Sequence, residues 1–237
     1  MVANMKKNLE VDKDEISKFE AMASEWWDPD GKFKPLHMLN PCRLAYITNQ
    51  IKAHFNCDYD DFEPFKGIKV LDIGCGGGLL TEPIARLGAS VVGVDPAEKN
   101  IKVAQLHLRK SNLDIDYRVS TAEKLLAKKE FFDVILNMEV VEHVPDPLNY
   151  LRTCSKLLKN NGIYVIEDFK FPNYFDYNRN TDDILVDQLL EKLKNKEHFQ
   201  SKYFSNDEQS FLMNSISDIS TYKGNLPESD ICFIKKN

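Results

Sequence analysis

A glycine-rich turn is the first candidate for chemistry in this chain. The sequence LDIGCGGG over 71–78 places four glycines directly after a short apolar run. Glycine lets backbone approach a ligand where any Cβ would clash, and a following helix offers free N–H groups and a positive dipole end. Asp95 lies about twenty residues after Gly74, at the end of the next predicted strand, where a carboxylate can accept both hydroxyls of a ribose. We therefore expect Gly74, Gly76 and Asp95 to bind a nucleoside-bearing cofactor.

Two further positions distinguish between cofactors. A dinucleotide fingerprint requires a third small residue at position 79, which is Leu79 here. Asp72 stands two residues before the first glycine, where its carboxylate would repel a pyrophosphate and suit a positively charged ligand. The combination favours S-adenosylmethionine over NAD and assigns Asp72 to the cofactor site. The alternative is a glycine-rich turn that binds no ligand.

The second group of candidates lies in the sequence MEVVEH over 138–143, after the fourth predicted strand. Residues three and four apart share one face of a helix, so we expect Glu139, Glu142 and His143 to converge. Two carboxylates and an imidazole could hold Mg²⁺, which would make a bound catechol lose its proton more easily. Alternatively, His143 acts as a general base without a metal, or the segment is a helix cap with a solvated acid pair.

Alternating strands and helices from residue 67 onward are expected to position both groups. Apolar runs predict strands over 70–73, 90–94, 115–119, 132–137 and 162–167, and the intervening patterns predict helices over 79–87, 100–111 and 148–158. Such βαβ units indicate an α/β fold with a Rossmann-like, mostly parallel, doubly wound sheet. Two closing strands are expected over 216–222 and 231–235, and two further helices over 184–193 and 208–215.

An N-terminal helical cap is predicted over 15–66, after a flexible tail over 1–14 and before a cofactor-binding domain over 67–237. Apolar residues spaced by three and four predict one helix from residue 15 to 27 and another over 43–55, with a loop over 36–41.

Several side chains of this cap have two interpretations. Trp26, Trp27 and Phe33 either line an aromatic substrate pocket or pack the cap on the core. His37, in the predicted loop, is a candidate second base.

Cys154 lies outside the cap. It falls within a predicted helix and is expected to be a core residue.

The longer motifs resemble a known family. VLDIGCGGG followed by VVGVD is similar to class I S-adenosylmethionine-dependent methyltransferases. Together with FEAMASEWWDPDGKFKPLHMLNPCRLAYI and NMEVVEHVPDP, these motifs resemble the ubiquinone-biosynthesis O-methyltransferases over about residues 15–162. The resemblance implies O-methylation of polyprenylated catechols, and it points to a metal at Glu139, Glu142 and His143. It also implies that Arg43 approaches the cofactor's carboxylate. With the residues assigned above, the candidate cofactor contacts are Arg43, Asp72, Gly74, Gly76, Asp95, Met138 and the backbone of Ala122, beside the adenine ring.

The chain after residue 168 departs from that family. Its relatives continue with a segment of the type STLNRT, an amphipathic apolar stretch and a GTHD loop, whereas here IEDFK leads into an Asn/Asp-rich stretch. We expect a divergent substrate-covering insertion over 169–215. In the family the insertion touches membrane, and because its motifs are missing here we expect at most weak peripheral membrane contact. Alternatives are a methyltransferase for another phenolic or lipid substrate, or an inactive methyltransferase-like binding protein.

The composition also bears on the binding partners and the cellular location of this protein. The 237 residues include 31 basic and 37 acidic side chains, a formal charge of −6 that disfavours nucleic acid as a partner. No apolar run approaches the roughly 18 residues of a membrane span. Five scattered cysteines without a CxxC pair favour a reducing compartment and disfavour structural zinc and a disulfide framework. We therefore expect a cytoplasmic protein, with any membrane contact peripheral.

Overall fold

One mixed sheet organises the chain. The computed structural model describes residues 12–58, 60–169, 191–192, 194–198, 206, 210, 213–214, 216–223 and 229–236. Its strands are β1 (Lys69–Ile73), β2 (Ser90–Asp95), β3 (Ile115–Val119), β4 (Phe132–Met138), β5 (Leu158–Phe169), β6 (Ile216–Lys223) and β7 (Ser229–Lys236). Within the described residues they form a sheet in the order β3-β2-β1-β4-β5-β7-β6. The first five strands are parallel, and β7 is antiparallel to both its neighbours. The predicted α/β fold with a mostly parallel sheet is confirmed.

A helix separates each parallel strand from the next. The helices are α1 (Lys13–Met22), α2 (Lys34–Phe55), α3 (Thr81–Arg86), α4 (Glu98–Leu108), α5 (Ala122–Ala127) and α6 (Pro147–Leu157), with short 3₁₀ helices over Ala23–Glu25 and Val141–His143. The strand order reverses direction between β1 and β4, as in doubly wound folds. In such folds a ligand cleft opens at the carboxyl edge of the sheet, at the point of reversal. The glycine turn after β1 and the MEVVEH segment after β4 therefore meet at one cleft.

Both faces of the sheet are buried. Consecutive strand residues point to opposite sides of the sheet, and each set lies in a core cluster. Val70 packs with Ile51 of α2 in one core cluster. Its neighbour Leu71 packs with Leu125 and Cys154 in the cluster on the other face. Cys154 is fully buried, so its predicted place in the core is confirmed. Burial on both faces explains why the parallel strands read as nearly continuous apolar runs.

The first helix begins two residues earlier and ends earlier than predicted. Asp12 accepts hydrogen bonds from the backbone N–H groups of Asp14 and Glu15, so α1 starts at Lys13. The α-helix stops at Met22, and the tryptophans follow the short 3₁₀ turn over Ala23–Glu25. The predicted domain limits at residues 14 and 66 stay predictions.

The predicted loop over 36–41 is wrong. Those residues belong to α2, which runs without interruption from Lys34 to Phe55 and contains Pro41 in its interior. Proline lacks the N–H for an intrahelical bond and is a usual helix breaker. Here tertiary contacts hold the flanking turns: the Asn40 side chain donates to the Leu79 carbonyl at 2.7 Å, and Ile47 is fully buried.

The remaining predictions on the fold have mixed outcomes. The two closing strands are confirmed as β6 and β7. The predicted helices over 184–193 and 208–215, and the predicted insertion over 169–215, fall mostly outside the described residues. Among the described residues, no helix combines the length and apolar composition needed to cross a membrane.

Candidate active site

The glycine turn joins β1 to the α3 region and is anchored on β2. The N–H groups of Gly74 and Cys75 both donate to the carbonyl of Val94, at 2.8 and 3.1 Å. Gly74 has φ +71°, which favours glycine. A Cβ on Gly74 would also lie 2.5 Å from a methyl group of Val140. The turn therefore passes tightly beside the segment that follows β4.

Asp95 ties this turn to the start of α4. One carboxylate oxygen accepts from the Gly76 N–H at 3.0 Å, and the other accepts from the Ala97 N–H at 2.8 Å and from Asn100 Nδ2 at 3.3 Å. Only 6% of Asp95 is exposed. Burial raises its pKa, and the hydrogen bonds to its charged form oppose that rise. The carboxylate is thus held rigidly at the sheet edge where the sequence predicts ribose binding.

Asp72 is the second buried acid at this edge. Its carboxylate accepts a hydrogen bond of 2.5 Å from Thr81 Oγ1, which links β1 to the first turn of α3. Burial raises the pKa of Asp72 to about 7, the bond from Thr81 opposes this, and the charge of Asp95 adds to it. The charge of Asp95 disfavours ionisation of Asp72, and a cationic ligand would complement these two acids.

The predicted cofactor contacts come together along one edge. Gly74 directly follows β1, Asp95 and Met138 are the last residues of β2 and β4, and Ala122 opens α5 just beyond β3. Because these strands are parallel, their carboxyl ends lie side by side. Ala122 is buried, so it can offer a ligand little beyond its backbone. Met138 is half-buried.

Arg43 reaches the same edge from α2, where it already has acidic partners. The side chain is 5% exposed, and its Nη2 lies 2.8 Å from Glu139 Oε1. Its Nε is paired with the carboxylate of Glu167 on β5. Glu139 has the left-handed φ of +59°, and its N–H donates to the Glu167 carbonyl at 2.8 Å. A non-glycine residue held in this conformation is typical of functional sites.

The three predicted metal ligands do not converge. Only Val141–His143 is helical, as a 3₁₀ turn, and Glu139 precedes it in left-handed conformation. A helix that included residues 139 to 143 was needed to bring these three side chains onto one face, and that prediction is wrong. Glu139 faces Arg43, while His143 Nε2 lies 3.8 Å from Glu142 Oε1. In the part of the chain that the structure describes, no three His, Cys, Asp or Glu side chains group as metal ligands. These residues do not fit a Mg²⁺ site.

One known protein family matches part of the chain. Residues 71–166, from β1 into β5, match the family described as methyltransferase domain. This part of the chain is similar to methyltransferase domains. This domain carries the glycine turn, Asp95 and the segment with His143, while Arg43 and the cap precede it in the sequence.

Relatives match a longer part of the chain than this family does. A ubiquinone biosynthesis O-methyltransferase of Roseobacter denitrificans is 65% identical over 155 residues, covering 65% of this chain and 62% of that protein. One of Ruegeria pomeroyi is 64% identical over 155 residues, with the same coverage. The resemblance expected from the motifs is confirmed, and the chain matches less than two thirds of the length of these relatives.

Solved structures confirm the Rossmann-like methyltransferase fold. The magnesium protoporphyrin IX methyltransferase of Synechocystis PCC 6803, crystallised with bound SAM, has a TM-score of 0.61 at 16% identity, covering 93% of this chain and 92% of that chain. The [4+2]-cyclase SpnF has a TM-score of 0.54 at 15% identity, covering 79% of this chain and 80% of that chain. Since a cyclase shares the fold, the fold alone does not establish methyl transfer.

The cap covers the glycine turn of the methyltransferase domain with aromatic rings. Trp26 and Phe33 stack at 3.8 Å between centroids and are both more than nine-tenths buried. A Cβ on Gly76 would lie 2.3 Å from the Trp26 ring. Trp27 donates from Nε1 to the Gly77 carbonyl at 2.8 Å. These contacts support the interpretation as core packing, and they place the Trp26 indole directly over the turn.

His37 serves the same packing. It lies in α2 rather than in a loop, and its Nε2 donates to the Trp26 carbonyl at 2.9 Å. This contact fixes the chain between the two capping helices. The proposed role of His37 as a second base stays a prediction without structural support.

Two residues of the site escaped sequence reasoning. Asn100 joins Asp95 to the cap, because its Oδ1 also accepts from Trp26 Nε1 at 2.9 Å. Its position in the first turn of the helix after the ribose-binding acid was the only signal. Glu15 lies 3.0 Å from His143 Nδ1, and nothing in the sequence spacing links residues so far apart.

Proposed function

We propose that this protein is an S-adenosylmethionine-dependent O-methyltransferase. Its substrate would be a phenolic or catechol hydroxyl of a polyprenylated ubiquinone precursor. The match to proteins named ubiquinone biosynthesis O-methyltransferase supports this proposal. The observation that carries it in the structure is the glycine turn held by the buried Asp95 carboxylate at 3.0 Å, with Asp72 buried beside it.

The two buried acids, Asp72 and Asp95, suit the charges of this cofactor. S-adenosylmethionine carries a sulfonium and an ammonium, and a cation placed near the buried carboxyl groups of Asp72 and Asp95 would favour their charged forms, which burial disfavours. Asp95 would hold the ribose, the turn at Gly74 and Gly76 the rest of the nucleoside edge, and Arg43 the carboxylate. When bound, the cofactor supplies a methyl group on a positively charged sulfur, which an oxygen nucleophile can displace in line.

His143 is the base that the geometry favours. Its side chain is 36% exposed, so substrate can reach it. Its Nε2 would accept the hydroxyl proton of the substrate, leaving a phenolate oxygen to attack the transferred methyl group. Glu142, 3.8 Å from that nitrogen, would stabilise the imidazolium that forms. Because Glu139 is committed to Arg43, we propose that this step proceeds without Mg²⁺.

A turnover assay separates this proposal from its alternatives. Short-chain demethylubiquinol and S-adenosylmethionine are incubated with the protein, and the methylated product is measured. We expect turnover by the native protein and a loss of roughly 10²–10⁴-fold in His143→Ala. Turnover of simple phenols alone would support another phenolic substrate, and cofactor binding without methyl transfer to any of them would support a binding protein.

Other aspects of the biology are proposals too. A cytoplasmic location, at most weak peripheral contact with membrane and the absence of nucleic-acid partners follow from composition and from the divergent segment after residue 168. The charge of −6 disfavours both polyanions and anionic lipid surfaces.

A further inference from the structure

A carboxylate of the capping helix contacts the proposed base. Glu15 Oε2 of α1 lies 3.0 Å from His143 Nδ1. The Phe19 ring contacts the same imidazole in a T-shaped arrangement, with centroids 5.1 Å apart and planes at 85°. The cap therefore holds His143 by one polar and one aromatic contact, from outside the methyltransferase domain match at residues 71–166.

The start of α1 places these two side chains. Asp12 caps the helix, with Oδ1 accepting from the Asp14 N–H at 2.9 Å, so Glu15 falls in the first turn. Residues four apart share a helix face, and Phe19 therefore lies beside Glu15. A negative side chain in the first turn is also favoured by the helix dipole. Both contacts to His143 thus follow from where the helix begins.

The contact decides which imidazole nitrogen carries the proton. A carboxylate within hydrogen-bond distance accepts from Nδ1–H, which leaves the lone pair on Nε2 in the neutral ring. The Glu142 oxygen nearest to Nε2 is 3.8 Å away, beyond a direct hydrogen bond. Resting on the proposed function, we propose that Glu15 is a positioning residue that orients His143 and keeps Nε2 as the basic nitrogen.

The charges around the imidazole agree with this assignment. Lys18, which pairs with Glu15, lowers the pKa of that carboxylate by a hydrogen bond, and the charges of Lys18 and His143 lower it further. Glu15 therefore remains ionised through the neutral range. Glu15 and Lys18 face the imidazole region from α1, and Glu142 faces it from its own 3₁₀ turn. An ionised Glu15 can therefore accept the hydrogen bond from His143 Nδ1–H at neutral pH.

Substitution of Glu15 with a matched control tests the proposal. Glu15→Gln removes the charge and offers an amide that can either accept from Nδ1 or donate to it, so the tautomer is no longer fixed and kcat should fall about 10–100-fold. Asp14→Asn removes the same charge one residue away, without contact to His143, and should leave kcat unchanged. Binding of S-adenosylmethionine, measured by calorimetry, should not change in either variant.

Two results overturn the proposal. In the His143→Ala background Glu15→Gln should have no further effect on kcat, and an undiminished loss there would show a structural role. Nitrogen NMR of the ¹⁵N-labelled native protein, assigned with His143→Ala, should show the proton on Nδ1 near neutral pH, and a proton on Nε2 refutes the assignment even if Glu15→Gln does not fold. If His143→Ala retains full activity, the role of His143 as the base fails, whereas the proposed function itself fails only if the native protein does not methylate the substrate.

Discussion

Gly76→Ala should destabilise the protein more than backbone conformation alone explains. Gly76 has φ +52°, and a left-handed conformation costs a non-glycine residue about 1–2 kcal/mol. The added Cβ would lie 2.3 Å from the buried Trp26 ring, so the indole must move. Its hydrogen bond to Asn100 then breaks, at about 1–3 kcal/mol for an unsatisfied buried group. We expect a loss of about 2–5 kcal/mol in the free energy of unfolding.

Gly67→Ala is the matched control for this variant. Gly67 has φ +86°, yet no atom lies within 4 Å of the position that its Cβ would take. That variant should cost only the conformational term of about 1–2 kcal/mol. Urea unfolding of both variants, followed by far-UV circular dichroism, measures the difference.

Removing the indole should remove the excess. In a Trp26→Leu background, Gly76→Ala should cost about 1–2 kcal/mol, the same as Gly67→Ala in the native protein. An equal penalty for Gly76→Ala in both backgrounds, within about 0.5 kcal/mol, would refute the packing of Trp26 on the turn.

Four further predictions concern the site. Asp95→Ala should weaken binding of S-adenosylmethionine by about 1.5–3 kcal/mol in calorimetry, and NADH should bind more weakly than S-adenosylmethionine to the native protein. Folding raises the pKa of Asp72 from 3.8 to about 7, so the folded state keeps this proton longer and the free energy of unfolding should fall as pH rises from about 4 to about 7. Asp72→Asn should remove this decline, of at most about 4 kcal/mol, in urea unfolding across that range. Methyl transfer should survive EDTA treatment followed by dialysis, and a loss restored by Mg²⁺ would contradict the metal-free base.

Regular periodicity made most of the fold predictable. The five parallel strands were recognisable because burial on both faces requires continuous apolar runs such as VVGV before Asp95. The helix through Pro41 was not, because a local rule assigns proline a breaking role and cannot include the Asn40 contact with the distant Leu79 carbonyl. Local rules fail where a tertiary contact offsets their cost.

The candidate site was likewise predictable from the sequence only in part. Amino-acid order alone determined that a glycine turn, Asp72 and Asp95 would meet, since the carboxyl ends of neighbouring parallel strands share an edge. Tertiary structure alone decided which partner each charged side chain takes: Glu139 turns to Arg43 instead of a metal, and His143 contacts Glu15. Strand pairing repeats over many residues and is therefore visible in a sequence pattern. The pairing of individual charges depends on single backbone angles, such as the left-handed φ of Glu139, and on helices that dock from distant parts of the chain.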